Sequence, residues 1–224
     1  MIARELGHHL PFSVASALAG VLLVVALSAF GLDSSAYRFF HVFHPAHMLL
    51  SAAATTAMFW RHDRRIVRAA AIGFVGSVGV CWISDVGLPY CGGLLLGANM
   101  EIHLCVVEHP PLILSAAVIG IVCGLVAAEA VRRSTFYSHS AHVLISSAAS
   151  TLYLTSFGIS IAEPAMIGWS VPIVLVSVMI PCCFSDIVFP LLFVVPESPR
   201  YRCGEDLGCH SRESGNPEGG VREK

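Results

Sequence analysis

The sequence predicts an all-α integral membrane protein, with six transmembrane helices arranged as two inverted three-helix repeats. Three observations lead there. Of the 224 residues, 55% are hydrophobic and only 12% charged, with a mean hydropathy of +0.74; soluble domains average about 25% charged residues. Six apolar stretches are each long enough for a hydrocarbon core that takes about 20 residues per helix. The chain also repeats itself. A net charge of −2 and a pI near 6.6 exclude a broadly basic nucleic-acid binder, and six spans leave no room for a large soluble domain.

The stretches cover residues 11–32, 40–60, 66–88, 111–131, 136–158 and 168–195. Charges and breakers separate them: Asp33-Ser34-Ser35, Arg61-His62-Asp63-Arg64-Arg65, Glu108-His109-Pro110-Pro111, Arg132-Arg133 and Glu163-Pro164. In lipid each backbone polar group must be satisfied within its own segment, so the spans are read as helices. With a cytoplasmic N-terminus, Arg4, Arg61, Arg64, Arg65, Arg68, Arg132, Arg133 and the basic residues of 196–224 all fall on the inner side, leaving only Arg38 outside. That asymmetry predicts an inner (plasma) membrane protein with both ends cytoplasmic. Ala26-Leu27-Ser28-Ala29 has the small residues of a signal-peptide cleavage region, but the first stretch has an internal counterpart, which favours a retained span. Residues 196–224 are polar and rich in Gly, Pro, Ser and Glu, the composition of a disordered tail. Part of it, Cys209 to Pro217, resembles peptides read through from dispersed bacterial repeat DNA, and no function is carried onto it.

The duplication rests on three blocks in the same order. His44-Pro45-Ala46-His47 and His139-Ser140-Ala141-His142 open the second and fifth stretches, each followed by small residues up to Thr56 and Thr151. Cys81, Ser84, Asp85 and Pro89 match Cys182, Ser185, Asp186 and Pro190. His9, Pro11, Ala17 and Gly20 match His109, Pro111, Ala117 and Gly120. The expected organisation is a first repeat over 1–95, an outer loop over 96–108, a second repeat over 109–195 and the tail. Three spans per repeat invert the second copy, the plan of secondary transporters with substrate sites at the repeat interface. Small residues in the second and fifth spans suit close approach of helices and place those two at the centre.

On this topology His44, His47, Asp85 and His109 lie toward the outer face, and His139, His142, Asp186 and His9 toward the inner one. Residues three apart share a helix face, so His44 with His47, and His139 with His142, can present paired imidazoles. Imidazole with a carboxylate suits zinc, iron, manganese, cobalt or nickel better than calcium or magnesium. Cys81 and Cys182, four residues before their Asp, add a soft ligand or a supporting donor. Ser51 and Ser146, one turn beyond His47 and His142, are placed to orient those rings. A lone histidine at a helix end is ordinarily an interfacial residue, but a charge in lipid costs at least about 2.5 kcal/mol and marks a pathway or relay.

The expected function is therefore a small secondary transporter of a divalent transition-metal ion, proton-coupled, with bilayer, metal and protons as partners. Its three-plus-three plan resembles the small bacterial cation and amino-acid exporters of the lysine-exporter type, in arrangement alone. One alternative is a bis-histidine haem protein for electron transfer, pairing His47 with His109 and His142 with His9. Another is a membrane metalloenzyme with a histidine box, which the division of histidines between faces disfavours. No Walker loop, dinucleotide fingerprint, HExxH or nucleophile elbow occurs. The segment from Gly92 to Cys105 is too short and polar to span, and is expected to lie at the surface or re-enter. Cys91 and Cys105 flank it as a free pair or a disulfide.

Overall fold

The computed structural model describes residues 2–31, 33–128, 135–158 and 164–193. The expected tail and the side chains of His9, His139 and Asp186 lie outside the described residues. By contacts the chain divides into Met1–Val194 and Val195–Lys224, and everything below concerns the first unit.

Every regular element among the described residues is helical: α1 (Ile2–Ala29), α2 (Ala36–His62), α3 (Ile66–Leu95), the short α4 (Cys105–Glu108), α5 (Pro110–Val126), α6 (Thr135–Phe157), α7 (Pro164–Cys183) and α8 (Phe189–Leu192). Six long helices thus occupy the six apolar stretches. Among the described residues one of them, α3, is long and apolar enough by itself to cross a membrane; Val14–Ala29, Pro110–Val126 and Gly168–Cys182 are shorter apolar helices.

Two helices departed from the expected bounds in ways that matter. Helix α2 begins at Ala36, four residues before the predicted start, and α3 continues to Leu95. Helix α3 is not uniformly wound, because it widens into i→i+5 turns at Gly76–Val80 and Ile83–Gly87. Pro89 has no N–H to offer the Asp85 carbonyl, so the ladder must re-register there. The same device follows α7, where Phe184–Val188 is wide-turned ahead of Pro190. The wide turns Ile83–Gly87 and Phe184–Val188 each carry an Asp of the duplicated block, and such turns are frequent at functional sites.

Helices α2 and α6 cross at the centre; α5 packs along α2, and α1 along α6. The approach is close because the facing residues are small: Ala52, Ala53, Ala148 and Ala149 are buried. Gly20 abuts the Leu144 carbonyl and Ser147, and Gly120 abuts the Leu49 carbonyl and Ala52. These are corresponding positions of the two blocks, so each copy's first helix rests on the other copy's second. A Cβ at Gly120 would stand within contact distance of backbone that cannot move aside. Gly120→Ala is expected to cost about 1–3 kcal/mol as overpacking and to lower the melting temperature in detergent. Gly79→Ala, at a site where a Cβ meets nothing within 4 Å, should not; equal melting of the two variants would refute this packing.

The distribution of polarity is inverted relative to a water-soluble domain. Leu22, Val67, Val118, Val122, Val126, Trp169 and Ile180 are among the exposed large apolar residues, while His44, His47, Ser51, Thr55, Ser84, Asp85, His142, Ser146 and Ser150 are buried. The segment between α3 and α4 re-enters this interior: Met100, His103 and Cys105 are buried. Glu101 N–H donates to the Phe157 carbonyl at 2.9 Å, and Tyr153 Oη–H donates to the Glu101 carbonyl at 2.7 Å, tying the segment to the end of α6. Cys91 and Cys105 are both free thiols.

Candidate metal centre

The site grows from the period of α2. Residues 37, 41, 44 and 47 succeed one another at three- and four-residue steps along one face, so the helix delivers a tyrosine and three imidazoles in a row from its start toward its middle. Pro45 is accommodated inside the helix between them.

Asp85, brought in by the second wide turn of α3, organises the inner part of the row. His44 Nδ1–H and His47 Nδ1–H both donate to its Oδ2, at 2.8 and 2.7 Å. Ser84 and Ser146 hydroxyls both donate to its Oδ1 at 2.9 Å. All partners are buried. A carboxylate offers about four lone-pair positions, and here four donors take them. Asp85 is thereby a positioning residue and not a free metal ligand, which revises its expected place in the ligand set. It fixes both imidazoles as the Nδ1–H tautomer and turns both Nε2 lone pairs outward, the arrangement by which carboxylates orient metal-binding histidines.

What His47 Nε2 meets is the central finding. His142 Nε2 lies 2.6 Å away, Cys182 Sγ 3.6 Å and Cys81 Sγ 3.7 Å. His47, His142 and Cys182 present ligand atoms all within 4.8 Å of one another, and all three residues are buried. A tetrahedral ion with Zn–N near 2.05 Å and Zn–S near 2.3 Å separates N from S by about 3.6 Å and N from N by about 3.3 Å. The sulfur distances already match, and the imidazoles need part by only about 0.7 Å. Cys182 Sγ also lies 3.5 Å from Ser146 Oγ, so one serine links the thiol to Asp85.

This contact overturns the expected division of His47 and His142 between two faces. The reason is depth. With α2 starting at Ala36, His47 sits 11 residues into a 27-residue helix, about 17 Å along its axis, near the crossing with α6. Of Cys81 and Cys182, expected as a soft ligand or a supporting donor, Cys182 joins His47 and His142 in the ligand group, and Cys81 Sγ stands 3.7 Å from His47 Nε2.

His109 does not join His44 and His47. It lies with His41 and His103 in a second group whose ligand atoms are again within 4.8 Å of one another. His41 was not singled out in the sequence, and His103 lies within the segment from Gly92 to Cys105; their meeting depends on how that segment folds back rather than on spacing along one helix. Burial holds the His103 imidazole below its ordinary pKa, with His41 and His109 adding to the effect and Glu108 opposing it. Burial likewise pushes the Cys105 thiol up to about 12, which keeps it protonated and a poor ligand. His9 and Asp186 are placed by their helices only, and His139 likewise by α6.

A cavity of about 330 Å³ is lined by His44, Met48, Val78, Gly79, Trp82, Leu104 and Val106. His44 Nε2 and Trp82 Nε1 are buried without hydrogen-bond partners among the described residues. No protein-family model, curated protein or solved structure matches this chain.

Proposed function

We propose that this chain is a bilayer-embedded secondary transporter of a divalent transition-metal ion, coupled to protons, in which His47, His142 and Cys182 bind the ion between two inverted three-helix halves. One observation carries the reading: two imidazole nitrogens and a thiol from three different helices converge in a buried polar centre where α2 and α6 cross. The inverted polarity and the apolar outer surface support embedding in lipid. The reciprocal packing of Gly20 on α6 and Gly120 on α2 supports paired halves able to rock about the centre. A mixed N/S donor set favours zinc over manganese or magnesium. Histidine and cysteine ligands shed protons on binding, which gives the coupling a chemical basis.

The test is zinc flux into proteoliposomes with a metal dye inside and a pH dye reporting the counter-movement. Zinc flux that rises with an imposed pH gradient and carries protons the opposite way is the expected result. Flux equal to that of protein-free vesicles, in either direction of gradient, removes the transporter reading.

A second reading is a membrane metalloenzyme, favoured by the gathering of five histidines into two groups, His41 with His103 and His109, and His47 with His142. Iron retained at stoichiometric level in the purified protein, with no zinc flux, selects it.

A further inference from the structure

We infer that His41, His103 and His109 form a second metal site, separate from the central one, for a first-row divalent cation that takes imidazole ligands, zinc and cobalt being the fitting class. The inference concerns residues outside the central centre and holds whether or not the chain moves ions.

The tautomers decide the matter. His41 Nδ1 lies 2.8 Å from the Tyr37 carbonyl. A carbonyl only accepts, so Nδ1 carries a proton and, in the neutral ring, Nε2 carries the lone pair. His103 Nδ1 lies 2.9 Å from Glu108 Oε1. A carboxylate also accepts, so His103 has the same tautomer and its Nε2 is likewise bare. Yet the two Nε2 atoms face each other at 3.0 Å. Two lone pairs at that distance repel unless a cation lies against both. The spacing is near the roughly 3.3 Å that two nitrogens adopt on a tetrahedral zinc ion, and His109 brings a third ring, with its centroid 4.8 Å from that of His41.

The surroundings are those of a built site. Glu108 behind His103 makes the carboxylate–histidine pair that orients and strengthens a ligand. The Tyr37 carbonyl serves His41 in the same way. Phe157 stacks on His103 at 4.8 Å and 21°, fixing the ring plane. Tyr153 and the Phe157 carbonyl hold Glu101 two residues before His103, so the re-entrant segment is pinned where the ligand is needed. Three imidazoles leave a fourth position open, the form of a site that exchanges its ion or takes water.

The rival occupant is a proton shared between His41 and His103. The experiment is cobalt(II) titration of the full-length, chelator-stripped protein in detergent, read by absorption and by elemental analysis. Wild type should take two ions, one with a thiolate-to-cobalt charge-transfer band and one without. His103→Ala should take one ion and keep that band. Glu108→Gln, a change at the exposed end of the pair that leaves the packing in place, should keep both ions but weaken the bandless one about 10- to 100-fold. The double change Cys81→Ser with Cys182→Ser should lose the band and retain the other absorption. Two ions bound by His103→Ala with wild-type affinity overturns the proposal, and so does a single wild-type ion that carries the full thiolate band, the outcome a shared proton produces. A single ion without the band, lost in His103→Ala, sustains the outer site and sinks the central one.

Discussion

His142→Ala is expected to strip the purified protein of its central ion and reduce zinc flux to background while leaving the helical fold in place, and His47→Ala should do the same. The centre draws its nitrogens from these two residues alone, with Nε2 atoms 2.6 Å apart. Removing either leaves one imidazole and the thiols, an incomplete set for a tetrahedral ion. Loss of an orienting partner already weakens metal sites about 10- to 100-fold, and loss of a ligand exceeds that. The fold should survive His142→Ala because a hydrogen bond contributes about 1 kcal/mol net. His47→Ala costs more, about 1–3 kcal/mol, because it also takes one of four donors from the buried Asp85 carboxylate. The three remaining donors and the rest of the α2–α6 contact should still hold the helices. Elemental analysis and circular dichroism on the same preparation separate the two effects. Stoichiometric zinc and undiminished flux in both variants would remove the metal path; collapse of helix content would make the histidines structural instead. Cys182→Ser gives the graded version, since replacing a soft donor by a hydroxyl should lower zinc affinity far more than manganese affinity.

The positions of the six long helices were legible in the chain because charges and breakers set off each apolar run: among the described residues every such run became a helix. The block matching drew attention to His47, His142, Cys81 and Cys182, and the structure brings the last three within 3.7 Å of the His47 imidazole. Depth was not legible. Taking α2 to start at residue 40 put His47 near one face, whereas four more helical residues before it carry the ring to the crossing point. Nor could spacing show that Asp85 is saturated. Its second hydroxyl donor, Ser146, comes from the other copy, 61 residues away, and the wide turn that aims the carboxylate is a consequence of Pro89 that a 3.6-residue period does not anticipate. The outer group escaped for a related reason. Its geometry depends on 96–104 folding back against α6, which is a long-range contact and leaves no periodic trace.

Asp85→Asn should separate the two roles that this carboxylate combines. Asparagine has nearly the same shape, and its Oδ1 can accept both imidazole N–H groups where Oδ2 does now. Its amide N–H groups would then face Ser84 and Ser146, whose hydroxyls can reverse from donor to acceptor. Ser84 already has the Cys81 carbonyl as an alternative acceptor at 3.1 Å. The network therefore stays satisfied, and the stability cost should be small. The negative charge behind His44 and His47 is lost, however, so His47 becomes a weaker base and a weaker ligand. Zinc affinity at the central site should fall about 10- to 100-fold, with cobalt spectra showing an intact thiolate band at higher ion concentration. Asp85→Ala differs in kind. It strands two imidazole N–H groups and two hydroxyls in a buried site, at about 1–3 kcal/mol for each group left unpaired, and should unfold the centre rather than merely weaken it. The ordering of melting temperatures, wild type close to Asp85→Asn and both well above Asp85→Ala, tests the saturation of the carboxylate. The zinc affinity of Asp85→Asn independently tests its electrostatic role. If asparagine binds zinc as tightly as aspartate does, Asp85 holds the rings in place but lends them no charge, and proton coupling would then have to reside on His47, His142 and the thiols alone.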